Sequence, residues 1–163
     1  MWDQQSKDKK IANEWININP ELSNSPIELI TQFVLFSNDV SNARHNFCKK
    51  YSLTPSEFDI IATLYRVGKP NGLIAKELKE RTFLPSSGAL ANRLDRLESK
   101  KLIKRHHDTQ DKRSIIVTLS VKGIALVEEI TPLFFDSLSE LFNTLSNSEK
   151  KDLQRLMEKL LLK

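Results

Sequence analysis

Apolar residues return at helical intervals along almost the whole chain, and only one stretch alternates. Ile11, Trp15 and Ile18 fall at i, i+4, i+7 and predict a short helix over residues 6–17, ended by Pro20. Ser25-Pro26-Ile27-Glu28 is a capping box with proline at the first helical position. It opens a helix to about residue 50, with Ile27, Ile30, Phe33, Val34 and Val40 on one stripe. Thr54-Pro55-Ser56-Glu57 repeats the signal for a helix to about residue 67, and Gly68-Lys69-Pro70-Asn71-Gly72 is a turn. A short helix over 73–81 should turn Ile74, Ala75 and Leu78 inward. The next helix, started by Pro85 and two serines, places Leu90, Leu94 and Leu97 on one face. Alternation then appears over 102–107 and 114–119, two strands joined by Asp108-Thr109-Gln110-Asp111-Lys112-Arg113. Ser120 caps a helix to about residue 145, striped by Val127, Ile130, Phe134, Leu138, Leu141 and Phe142, with Pro132 expected to kink it. Ser146-Asn147-Ser148-Glu149 caps a last helix carrying Leu153, Leu156, Met157, Leu160 and Leu161.

These elements predict a mainly α fold with a small β-hairpin wing (α+β), a winged helix-turn-helix over 53–119 flanked by dimerisation helices in 1–52 and 120–163, one structural domain overall. On the helix bearing the leucines, Gly88, Ala89, Asn92 and Arg96 point the other way. That face is small or hydrogen-bonding, as a helix lying in a major groove requires; asparagine can read adenine and arginine guanine. Ser86 and Ser87, at the helix start, are placed for phosphates or base edges. Lys112 and Arg113 at the hairpin tip suit phosphates or the minor groove, with Asp111 orienting Arg113. The flanking apolar stripes exceed what the 53–119 core can cover. A two-fold homodimer meets that need and sets two reading helices about one DNA turn apart, matching a pseudo-palindromic operator on double-stranded DNA. A closed monomeric bundle is the alternative.

Charge strengthens the DNA assignment through its placement. The net charge is only +4, but residues 76–113 carry eleven bases against six acids, leaving the rest of the chain slightly acidic. A solvated face of intrahelical ion pairs would show the same tally. The first ten residues are polar, and no apolar run approaches the roughly 18 residues needed to span a bilayer, so a cytoplasmic protein without a membrane partner is expected. No Gly-rich phosphate loop, nucleophile elbow or paired catalytic carboxylates occur, so neither an enzyme nor a cofactor is expected. His45 and Cys48 at i, i+3 are too few for a metal, and the adjacent His106 and His107 should face opposite ways. Cys48, the one cysteine, lies near His45, Lys49 and Lys50. Those neighbours would lower a thiol pKa and make it a redox candidate; an inert packed cysteine is the other reading.

Leu53-Thr54-Pro55-Ser56-Glu57-Phe58-Asp59, the helix over 86–98, the Asp108-to-Arg113 loop and Val117-Thr118-Leu119-Ser120-Val121-Lys122-Gly123 together resemble the multiple antibiotic resistance regulator (MarR) family of winged-helix repressors, over most of the chain from Pro26 to about Leu145. Gln110 stands where that family's wing motif commonly has arginine. A narrower resemblance, to the urate-responsive PecS/HucR branch, implies an effector site at Trp15, Asp59, Arg93 and Arg105. Arg93 lies roughly 60–70° from the centre of the leucine stripe, off the groove-facing side. A guanidinium fork suits a planar anion such as urate or a related purine, a tryptophan offers a stacking contact, and Asp59 would pair with Arg93 or with ligand N–H groups. Residue type alone equally allows an anchoring Trp15, a solvated Asp59 and an Arg93 on phosphate. The resemblance thus implies a homodimeric transcriptional repressor released by a small anionic or aromatic ligand. Alternatives are a redox-sensing regulator of the same family acting through Cys48, or a helical dimer that binds another protein and no DNA.

Overall fold

Three helices begin where a side-chain oxygen takes up free backbone N–H groups. Thr54 Oγ1 accepts from the Glu57 N–H at 3.2 Å while Glu57 Oε2 accepts from the Thr54 N–H at 2.8 Å. Ser120 Oγ accepts from the Gly123 N–H at 2.9 Å, and Ser146 and Glu149 form a reciprocal box. The structure is a computed structural model that describes residues 7–67, 72–82, 87–108 and 114–162.

The chain divides into two compact units, Met1–Ala43 and Arg44–Lys163. The first holds helix α1 (Lys7–Ile18), a 3₁₀ turn (Pro20–Asn24) and the larger part of helix α2 (Ile27–Lys50). The Asn19 side chain accepts from the Glu21 N–H at 3.2 Å, so the proline that stops α1 leads straight into the turn. Ala12 is buried, whereas Trp15, Ile18, Ile30, Phe33 and Val34 are exposed.

The second unit adds α3 (Pro55–Val67), β1 (Leu73–Ile74), α4 (Ala75–Arg81), α5 (Ser87–Ser99), β2 (Ile103–His107), β3 (Ile115–Leu119), α6 (Val121–Ser139), a 3₁₀ turn (Glu140–Phe142) and α7 (Asn147–Leu161). Its sheet is antiparallel, ordered β1-β3-β2. Leu73 lies opposite Val117, and Arg105 lies opposite Val117 from the other side. The helix expected over 73–81 is therefore shorter by two residues. Leu73 and Ile74 pair with β3, because backbone ladder bonds are available there before α4 can begin, and Ala75 is exposed rather than inward. Gly72 makes this approach workable: its φ is +82°, and a Cβ there would stand 2.5 Å from the Val117 carbonyl oxygen.

Leu64, Leu78, Leu90, Leu94, Leu97, Ile103, Val117, Val127 and Ile130 are buried in one cluster with Phe47 and Cys48 from the end of α2. Phe134 of α6 meets Phe58 at 4.3 Å and Phe47 at 5.4 Å between ring centroids. The helix expected to reach residue 145 ends at Ser139 and tightens into the 3₁₀ turn, with Pro132 inside it. Ser139 Oγ donates to the Asp136 carbonyl at 2.7 Å, a local bond that competes with the helical ladder where it breaks.

Candidate nucleic-acid interface

α5 is held by its leucines and open on the other side. Leu90, Leu94 and Leu97 are buried; Gly88, Asn92 and Arg96 are exposed, and Ala89 is half-buried. Among the described residues a Cβ at Gly88 would meet nothing within 4 Å, so this side of α5 has room for close approach of another backbone. No acidic residue lies in the first turn, so α5 itself sets no charge against the positive end of its dipole. Ser87 is the first residue of α5. Ser86, and the wing residues Asp111, Lys112 and Arg113, lie outside the described residues. Where the hairpin is described it is still closed, the Asp108 N–H donating to the Ser114 carbonyl at 2.9 Å.

Of the expected effector residues, Asp59, Arg93 and Arg105 have partners of their own within the fold. Trp15 stands on α1 in the first unit, 54% exposed. Asp59 takes both its carboxylate oxygens to Arg44 Nη2, at 2.6 and 2.8 Å, rather than to Arg93. Arg44 lies fifteen residues away, on α2, beyond the reach of any helical period along α3. Arg93 Nη1 donates to the Ala89 carbonyl at 2.9 Å, and its Nε is buried with no acceptor among the described residues. Arg105 on β2 donates through Nε and Nη2 to Glu98 Oε2 at 2.8 and 2.6 Å and through Nη2 to Asp95 Oδ1 at 2.6 Å. Those bonds, Glu98 first and Asp95 second, raise the Arg105 pKa further.

Two polar features tie α5 to the rest of the unit. Lys100 Nζ donates to buried Glu57 Oε2 at 2.9 Å and to the Ser52 carbonyl at 2.8 Å, joining the end of α5 to the start of α3. Lys101 then turns at φ +60°, with the Leu102 N–H on the Leu97 carbonyl and the Lys101 N–H on the Glu98 carbonyl. This is a Schellman cap at which lysine occupies the left-handed position usual for glycine.

Cys48 is buried, and burial pushes its thiol up to about 11; Arg44 pulls it down by less, while Asp59 and Glu57 push it further up. The lowering expected from His45, Lys49 and Lys50 is overturned. Those three side chains are exposed and the sulfur faces the core. Among the described residues no three His, Cys, Asp or Glu side chains gather as a metal site, and no helix is long and apolar enough to cross a membrane.

A family model described as transcriptional regulator SarA/Rot matches residues 43–130. The chain is 29% identical to the HTH-type transcriptional regulator PecS of Dickeya dadantii over 147 residues, covering 90% of this chain and 88% of PecS. It superposes on MepR from S. aureus, in a MepR–DNA complex, with a TM-score of 0.70 and 26% identity over 80% of this chain and 93% of that one. A cysteine-to-serine mutant of MarR from E. coli, complexed with operator DNA, gives a TM-score of 0.69 at 24% identity over 90% and 97%, a likeness of fold.

Proposed function

The chain belongs to the SarA/Rot family of MarR-like winged-helix transcriptional regulators, a family of DNA-binding proteins and not of enzymes, and from that premise we propose that it is a homodimeric repressor released by a small anionic ligand. Two copies of α5 enter successive major grooves of a pseudo-palindromic operator. Ala89, Asn92 and Arg96 face base edges, and Ser86 and Ser87 face phosphates at the helix start. Lys112 and Arg113 hold the flanking backbone or minor groove, with Asp111 orienting Arg113. The carrying observation is α5 itself: three leucines anchor one side in the core while Asn92 and Arg96 stand open on the other. The homodimer is supported by large apolar side chains left uncovered on α1, α2 and α7.

For the effector, the supporting observation is Arg93. It is a guanidinium on the reading helix with a buried, unpartnered Nε–H and no carboxylate on it among the described residues. A planar, acceptor-rich anion such as urate would satisfy that donor, with Asp59 as a further contact. Arg105 could join them only by leaving Glu98 and Asp95. Binding releases DNA only to the extent that the ligand prefers a dimer whose reading helices no longer match both half-sites. A redox role for Cys48 is disfavoured, because a buried thiol titrating at about 11 holds almost no thiolate at neutral pH.

The test is binding to duplexes selected by the protein from a random-sequence pool, with and without urate. Arg113→Ala should weaken binding to every duplex and reduce the salt slope by about one. Urate should release the selected duplex; retention at millimolar urate would remove the effector assignment, and indifference to all duplexes at low salt would remove the DNA reading itself.

A further inference from the structure

We propose that Arg105 is a positioning residue: clamped by Glu98 and Asp95, it sets the direction in which the wing leaves the reading helix and does not itself grip phosphate or ligand. The inference rests on the reading of Lys112 and Arg113 as wing contacts. Arg105 sits at the middle of β2, the third of its five residues, and β2 is the edge strand of the sheet, paired only with β3 among the described residues. β1 supports the sheet from the far side and over just two residues, so it cannot fix how β2 and β3 lean against α5.

Arg105 can. Its Nε and Nη2 reach Glu98 Oε2 at 2.8 and 2.6 Å, its Nη2 reaches Asp95 Oδ1 at 2.6 Å, and its own backbone N–H donates to Glu98 Oε1 at 3.2 Å. Both acids stand on the last two turns of α5, three residues apart and so on one side of it. One strand residue is thus pinned, by side chain and main chain together, to the helix that reads DNA. From Arg105 the strand runs two more residues, about 7 Å, to its end at His107, so a small tilt at the clamp grows along the hairpin.

The neighbouring cations contrast with it. Arg96 and Lys104 are exposed and hold no carboxylate among the described residues, which leaves them available to phosphates. Arg105 is, among the described residues, the one cation of α5 and β2 already surrounded by acid. Ion pairs this close to solvent contribute little to global stability, so a role in orientation explains the arrangement better than a role in holding the fold.

The experiment removes the acids, not the arginine. Asp95→Asn with Glu98→Gln frees Arg105 and makes the surface more positive. A positioning role predicts that affinity for the selected duplex falls about tenfold despite the added charge, with the salt slope reduced by about one, as in Arg113→Ala. It also predicts no further loss when the pair is placed in an Arg113→Ala background. Arg105→Lys, which keeps the charge but loses the fork, should behave the same way, and thermal melting should confirm that each variant is folded. Tighter binding with a slope steeper by about one would overturn the proposal, making Arg105 a phosphate contact that the acids hold in check. An equal loss in both backgrounds would overturn it too, since the clamp would then act on α5 and not on the wing. If Arg113→Ala alone binds like the unaltered protein, the wing reading fails first, visibly in that single variant, and the proposal falls with it.

Discussion

α5 and α7 are written in nearly the same hydrophobic code and end in opposite situations. Each repeats leucine at three- and four-residue steps on an otherwise polar helix. On α5, Leu90, Leu94 and Leu97 are 3, 4 and 0% exposed; on α7, Leu156, Leu160 and Leu161 are 50, 53 and 76% exposed. Periodicity therefore tells which side of a helix wants cover, not what covers it. For α5 the cover is inside the unit, from α3, α4 and β2. For α7 the same chemical demand is left open, which is the physical ground for proposing a second copy of the chain.

The contrast can be broken most severely at its buried end. Leu97→Ala should cost about 3 kcal/mol of stability, read by chemical denaturation, because a fully enclosed leucine leaves a cavity its neighbours cannot close. The same truncation at Leu160 should cost a small fraction of that in the isolated subunit. Next in size, Leu156→Glu combined with Leu160→Glu should turn a sedimenting dimer into a monomer at micromolar concentration and weaken operator binding with it. A variant that sediments unchanged would mean that α7 is not part of the subunit contact.

A smaller effect sharpens the buried side. Because the Cys48 thiol is raised from 9.0 to about 11 in the folded protein, folding favours its protonated form. That contribution is complete below pH 9 and is lost as pH climbs from 9 toward 11. Denaturation curves of the unaltered protein should fall faster over this window than those of Cys48→Ala, and iodoacetamide should leave the folded thiol untouched at neutral pH. Smallest of all, Lys101→Gly should stabilise the protein by about 1 kcal/mol, since glycine takes the φ +60° cap without a Cβ penalty. A fall in melting temperature would show that the lysine side chain contributes more than its backbone costs.

The helix starts were legible because capping is a conversation between residues three apart: Thr54 with Glu57, Ser120 with Gly123, Ser146 with Glu149. The leucine side of α5 and the β2–β3 hairpin were legible for the same reason, each being a local period. β1 escaped notice because two residues carry no period, and only the opposing backbone of β3 makes Leu73 and Ile74 a strand. The candidate site was read less well. Its residues were named, but the acid facing each arginine, or the arginine facing each acid, came from another element: Arg44 for Asp59, and Glu98 with Asp95 for Arg105.

Composition and spacing alone thus determined that this chain makes amphipathic helices around a basic hairpin, and which face of α5 stays polar. Local bonds and repeating faces need nothing beyond neighbours in sequence. Only the tertiary structure decided which charges remain available, because an ion pair depends on distance in space, and a helix cannot know from its own residues which acid will stand across from it. Arg93 kept an open donor while Arg105 lost its freedom, although the two arginines look alike on the page of the sequence.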